Sequence, residues 1–268
     1  MYTPPSAPRS IGGVLDDTIQ LYKASFAACV TASLFLALLA LGLGLYTRPR
    51  FPTAHNLQPL AQLAALSAAT PPHALSAYLV YLVLAALGYL VMLVQMTRVA
   101  GGETTLSLGA AIGRAAGRLP AAIGAGFLFL LAIAVGSVLL IIPGVYLWIR
   151  LQLFAVPLVS EGTGVGASLG RSWEMVGGHW WRTLLIISVI FIIVLVLDLL
   201  VTPISAALLV VLRSDLPRAL LLTQALQAVM TVFTTPLIAA TLVAIYDDLR
   251  LRKEGADIEA RVGSLQRS

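Results

Sequence analysis

Two charges stand inside otherwise apolar sequence: Arg150, closing Ile142-Pro-Gly-Val-Tyr-Leu-Trp-Ile-Arg150, and Asp198, within a bulky apolar run over 189–200. Counted from Gly144, Arg150 falls about 9 Å along its segment, and Asp198 falls about 24 Å from Arg182 along its own. In a hydrocarbon layer about 30 Å thick, with the two segments antiparallel, these are similar depths. A lone charge there costs about 3 kcal/mol on insertion scales, so a mutual Arg150–Asp198 pair is expected. Read structurally, the pair locks two helices together. Read functionally, Arg150 binds a lipid phosphate or acidic substrate and Asp198 orients it.

A second polar set, Gln224, Gln227, Thr231 and Thr234 or Thr235, recurs at steps of three and four. One helix face therefore carries several hydrogen-bonding groups, which face other helices rather than lipid. Interhelical hydrogen bonding is their plainer use, because a conduction path needs polar faces from several helices. Gly162, Gly164, Gly166 and Gly170 resemble a phosphate cradle in composition, but a dinucleotide fingerprint must follow a strand, and these follow an apolar helix. His55, His73 and His179 converge on no motif, HExxH is absent, and Cys29 is the only cysteine. The expectation is a protein that is not an enzyme, with no metal site and no cofactor.

The elements that must position these residues follow from hydropathy. The chain has 268 residues, 59% hydrophobic and 11% charged, with mean hydropathy +0.94. Soluble domains carry about 25% charged residues, so water is not the main solvent. Apolar stretches at about 26–46, 76–97, 120–142, 144–160, 183–202 and 218–246 predict an all-α polytopic transmembrane bundle, one domain over 1–268, with six spans in three hairpins. Ile142-Pro143-Gly144 is expected to break the helix between the third and fourth spans. Residues 47–75 read as a Pro- and Ala-rich loop, and 203–217 as a connector with room for a short surface helix. The formal charge of +5 is scattered in ones and twos at span ends, which points to membrane topology and away from nucleic acid.

Six spans put both termini on one side. That side holds Arg9, Lys23, Arg98, Arg114, Arg118, Arg171, Arg182, Arg250, Arg252, Lys253, Arg261 and Arg267. The other holds Arg48, Arg50, Arg213 and Arg218. The excess of cations makes both termini cytoplasmic. Ser10-Ile-Gly, Ser107-Leu-Gly and Ser168-Leu-Gly each open an amphipathic segment before an odd-numbered span, at about 10–24, 105–118 and 166–180. Apolar steps of three and four with basic flanks describe helices in the headgroup plane. Either the chain is a threefold repeat, or any hairpin protein of this kind needs such connectors. Arg114, Arg118, Arg171, Trp173, Trp180, Trp181 and Arg182 are the expected interfacial lipid contacts. Asp247-Asp248 beside Arg250 and Arg252 reads as a salt-bridged helix end.

Several of these segments resemble the glycerophosphoryl diester phosphodiesterase membrane-domain family. They are Ser10-Ile-Gly-Gly-Val-Leu-Asp-Asp-Thr-Ile-Gln-Leu-Tyr-Lys23, Ile142 to Arg150 with Glu161-Gly, Ser168-Leu-Gly-Arg-Ser-Trp-Glu-Met-Val-Gly-Gly-His-Trp-Trp-Arg182, Pro236-Leu-Ile, and Tyr246 to Asp257. The resemblance implies a bacterial multi-spanning membrane domain, and it carries over no catalytic residue, because no soluble segment here is long enough for the barrel fused to some members. The expected function is a non-enzymatic protein of the bacterial inner membrane that interacts with lipid or scaffolds partners. Its expected partners are anionic membrane lipids, with a homo-oligomer or other membrane proteins as further candidates. The alternative is a transporter or lipid translocator with a polar site near Arg150, Asp198 and the Gln224–Thr235 stripe.

Overall fold

A computed structural model describes residues 2–47, 73–212 and 215–265, with 216, 217 and 256–265 described by backbone alone. Most of the expected loop 47–75, with Arg48, Arg50 and His55, lies outside the described residues. So do Arg213, Arg267 and the side chain of Arg261.

Helix is the only regular structure among the described residues. In chain order the helices are α1 (Ile11–Tyr46), α2 (Ala74–Ala100), α3 (Leu108–Leu139), α4 (Ile141–Leu151), a 3-10 turn (Gln152–Phe154), α5 (Ala155–Ser160), α6 (Val165–Val176), α7 (Trp180–Val211) and α8 (Leu216–Leu265). Six segments are long and apolar enough to cross a bilayer: Ile11–Tyr46, Ala74–Ala100, Leu108–Leu139, Ile141–Ser160, Trp180–Val211 and Arg218–Gly255. The chain is an all-α, multi-pass membrane protein.

Only one of the three amphipathic segments stands apart from the span that follows it. α1 starts where the Ser10 hydroxyl accepts from the Gly13 N–H at 3.1 Å, and runs 36 residues, about 54 Å, without interruption. The segment expected at 10–24 is its first part, and the one at 105–118 is likewise continuous with its span in α3. In the third unit α6 stops at Val176 and Gly178 turns the chain at φ +81°. Neither of the first two units has a left-handed residue at that place, so nothing ends the helix. The expected connector over 203–217 also differs, because α7 continues through Pro203 to Val211.

The α3–α4 break falls at Leu140, whose backbone is extended at φ −166° and ψ 151°. Pro143 instead sits in the first turn of α4, where its missing N–H leaves no bond unmade. Gly144 serves close packing, since a Cβ there would overlap the Ser137 hydroxyl and lie 3.0 Å from the Ser137 Cα.

Burial divides the molecule along the membrane normal. The fully buried large side chains, among them Leu21, Met92, Leu93, Met96, Ile149, Leu153, Met175 and Tyr246, form one cluster at the end that carries the charges. α1 packs most extensively on α8 and on α2, and a Cβ on Gly88 would come within 2.8 Å of Leu36. Away from that end the surface is apolar and open, as at Val138 (87% exposed) and Ile142 (82%) on the α3–α4 hairpin. Hydrocarbon solvates such a surface as well as protein does, so the exposure costs nothing in a bilayer.

Candidate functional site

Charge concentrates where α6, the start of α7 and the Asp248–Glu254 stretch of α8 meet. Asp248, on α8, has a side chain 4% exposed. Its Oδ2 accepts from Arg182 Nη2 at 2.9 Å and Nε at 3.1 Å, and from Arg252 Nε at 2.9 Å. Its Oδ1 accepts from the Arg9 backbone N–H at 2.8 Å. The Arg9 carbonyl in turn accepts from Arg182 Nη2 at 2.7 Å and from Arg252. One buried carboxylate and two arginines thus clamp the segment before α1 onto α8. Tyr2 is buried against this clamp, and burial, followed by the nearby Asp247 and Asp17 charges, pushes its hydroxyl pKa up.

A second network centres on Arg171 of α6. Its Nη2 donates to Glu254 Oε1 at 2.7 Å, and its Nη1 lies 3.7 Å from Glu174. Its Nε is 3.4 Å from Glu161 Oε2, an ion-pair contact without hydrogen-bond alignment. The Tyr246 hydroxyl donates to the other Glu161 oxygen, and Arg250 Nε donates to Glu254 at 2.9 Å. Burial works against the Arg171 charge, but Tyr246, Glu161 and Glu254 outweigh it and its pKa is raised. Arg171 and Arg182, both expected at the lipid interface, are therefore spent on protein carboxylates contributed from 83 and 66 residues away.

Arg150 is placed differently. Its Nε donates to the Tyr146 hydroxyl at 3.0 Å and its Nη1 to the Trp173 carbonyl at 2.7 Å. Its guanidinium carbon stands 4.2 Å from the Trp173 ring centroid. Tyr146 stacks on Trp180 at 5.7 Å, and Trp181 meets Trp180 edge-on at 4.7 Å. Gly177 leaves room for the guanidinium, since a Cβ there would lie 2.9 Å from Nη1. Lys253 donates to the neighbouring Glu174 carbonyl, so the bay lies beside the charged clusters.

The expected Arg150–Asp198 pair does not form. Asp198 is exposed on α7, and no ion pair joins the two among the described residues. Gly144 to Arg150 is continuous helix, but Tyr146 packs on Trp180 at the start of α7 and the Arg150 guanidinium bonds the Trp173 carbonyl of α6, whereas Asp198 lies about 27 Å further along α7.

The stripe on α8 is also separate. Gln224, Gln227 and Thr231 face Ala40, Leu41 and Gly44 of α1 around a cavity of about 120 Å³. Thr231 and Thr234 donate to their own helix, at Gln227 and Met230, and Thr235 is half-buried. Neither Arg150 nor Asp198 lines that cavity. Arg118 of α3 donates to the Gly162 carbonyl at 2.9 Å, and Gly162, at φ +71°, lies so close that a Cβ would fall 2.5 Å from the Arg118 Nη2. That glycine gives room to an arginine. Arg114, one turn earlier, is exposed.

Residues 12–249, from the first turn of α1 to the Asp248 clamp, match the family model described as Domain of unknown function (DUF7847). The chain belongs to that family. No curated protein and no solved structure matches it. Within the DUF7847 span lie Asp248, Arg182, Arg171, Glu161, Tyr246 and the Arg150 bay, whereas Arg9, Arg252 and Glu254 lie outside it.

Sequence reasoning did not reach Tyr146, Tyr246, Glu254 or Arg9 as partners. Tyr146 stands four residues before Arg150, a spacing that puts both on one helix face, and that signal was available. Tyr246 with Glu161, Glu254 with Arg171 and the Arg9 backbone with Asp248 meet across 83 to 239 residues, and no local pattern encodes those contacts.

Proposed function

We propose that this chain is a non-enzymatic bacterial inner-membrane protein, both termini cytoplasmic, that holds anionic phospholipid headgroups at its charged end and scaffolds a membrane assembly. The observation that carries the reading is Arg150, a cation with no carboxylate partner among the described residues, set among Tyr146, Trp173 and Trp180. Tyr146 and Trp173 take two of its five N–H donors, which leaves three for a ligand or water. Aromatic rings with one wet edge belong at headgroup level, and a planar guanidinium suits a phosphodiester.

The non-enzymatic part is supported by how the carboxylates are used. Glu161, Asp248 and Glu254 are each engaged by arginine, an arrangement that holds elements together rather than moving protons. The transporter alternative needs Arg150, Asp198 and the Gln224 stripe around one path, and they lie apart. The test is lipid retention by the purified chain in native mass spectrometry, comparing phosphatidylglycerol with phosphatidylcholine. Arg150→Gln is expected to lose the preference for phosphatidylglycerol while its unfolding temperature stays within a few degrees of wild type. Unchanged preference would overturn the assignment.

A further inference from the structure

Arg114 and Arg118 stand one turn apart on α3, and like charges at that spacing repel. No carboxylate pairs with either among the described residues; the recorded partner of Arg118 is the Gly162 carbonyl. They line a cavity of about 560 Å³ with Thr97, Arg98, Glu103 and Ser160, between the end of α2, the first turns of α3 and the end of α5. Small-ligand sites usually span roughly 300–1,000 Å³. Gly113 and Gly117 also line it, and a Cβ on either would meet nothing within 4 Å, so both keep the space open. Arg98 is already held, by Glu103 at 2.7 Å and by the Thr104 carbonyl at 3.0 Å.

Three guanidinium groups and one carboxylate give this groove a formal +2, against +1 at the Arg150 bay. Headgroup level is its natural depth, because Arg118 reaches the residue next to Glu161 in the charged network. We propose that the groove binds a terminal phosphate carrying about two negative charges, a phosphomonoester or a diphosphate. Arg114 and Arg118 grip its oxygens from one helix face, and Arg98, fixed by Glu103, closes the side. The same chemistry fits a lipid such as phosphatidate or a soluble phosphate compound. The site differs from the Arg150 bay in place, charge and ligand class.

The full chain in phosphatidylcholine nanodiscs separates the two sources. Retention of added phosphatidate over phosphatidylglycerol places the phosphate in the bilayer, and saturable binding of inorganic pyrophosphate to lipid-neutral discs places it in solution. Either result supports the site if Arg114→Gln with Arg118→Gln weakens it about tenfold or more, the effect of losing charge-assisted bonds. Gly117→Leu keeps both arginines, fills the open space, and is expected to abolish binding without loss of fold. Arg150→Gln is expected to leave phosphatidate retention intact while losing the phosphatidylglycerol preference, so failure of one site is distinguishable from failure of the other. Wild-type protein that neither prefers phosphatidate nor binds pyrophosphate would overturn the proposal. So would a doubly substituted chain that binds like wild type.

Discussion

The two sides of the charged end use arginine in opposite ways. Around α6, α7 and α8, Arg171, Arg182 and Arg252 each meet carboxylates, and the Asp248 side chain that Arg182 and Arg252 share is 4% exposed. Beside that network, Arg114 and Arg118 line an open groove, and Arg150 is caged by rings instead of acids. A neutralised arginine in a buried network ties distant elements together. An arginine left without a carboxylate keeps donors that the described residues do not use.

The comparison breaks most readily at Asp248. Asp248→Ala would leave Arg182 and Arg252 facing each other without a counter-charge, and removing one partner of a buried pair costs about 3–5 kcal/mol. Thermal unfolding in neutral detergent is expected to show a large drop or loss of folded protein. Tyr246→Phe removes the donor to Glu161 and is expected to cost about 1–2 kcal/mol by the same measurement. Arg150→Lys keeps the charge but loses the planar stack on Trp173. The expected loss of about 0.5–1 kcal/mol in phosphatidylglycerol retention is readable as a few-fold weakening in a lipid titration. Smallest of all, Arg114→Gln, at an exposed position of α3, is expected to change unfolding in neutral detergent by about 0.5 kcal/mol or less.

Hydropathy makes the six spans and their hairpin order legible, because a bilayer demands a minimum apolar length and leaves few alternatives. Helix ends are less legible. The apolar count sees neither that α1 starts at Ile11 nor that Leu140, rather than Pro143, breaks the hairpin. Those ends depend on a cap, on a left-handed glycine and on a close helix crossing.

In the candidate site, contacts four residues apart lie within reach of sequence reasoning: Arg252 with Asp248, Arg250 with Glu254, and Arg150 with Tyr146. The reading of Asp247-Asp248 as a salt-bridged helix end captured the first of these. It missed Arg182 and the Arg9 backbone, which reach Asp248 only through the packing of α7 and α1 on α8. The Arg150–Asp198 pairing failed for a related reason. The fold brings Arg150 to the start of α7, whereas Asp198 lies about 27 Å further along that helix and is exposed.

The account turns on the claim that open arginines serve a ligand and paired ones serve the fold. A chain carrying Arg114→Gln, Arg118→Gln and Arg150→Gln, melted with and without anionic phospholipid, tests it most directly. The predicted result is an unfolding temperature within a few degrees of wild type in neutral detergent and no rise when anionic lipid is added, where wild type rises. A variant that unfolds early in neutral detergent, or that gains as much from anionic lipid as wild type, would contradict it.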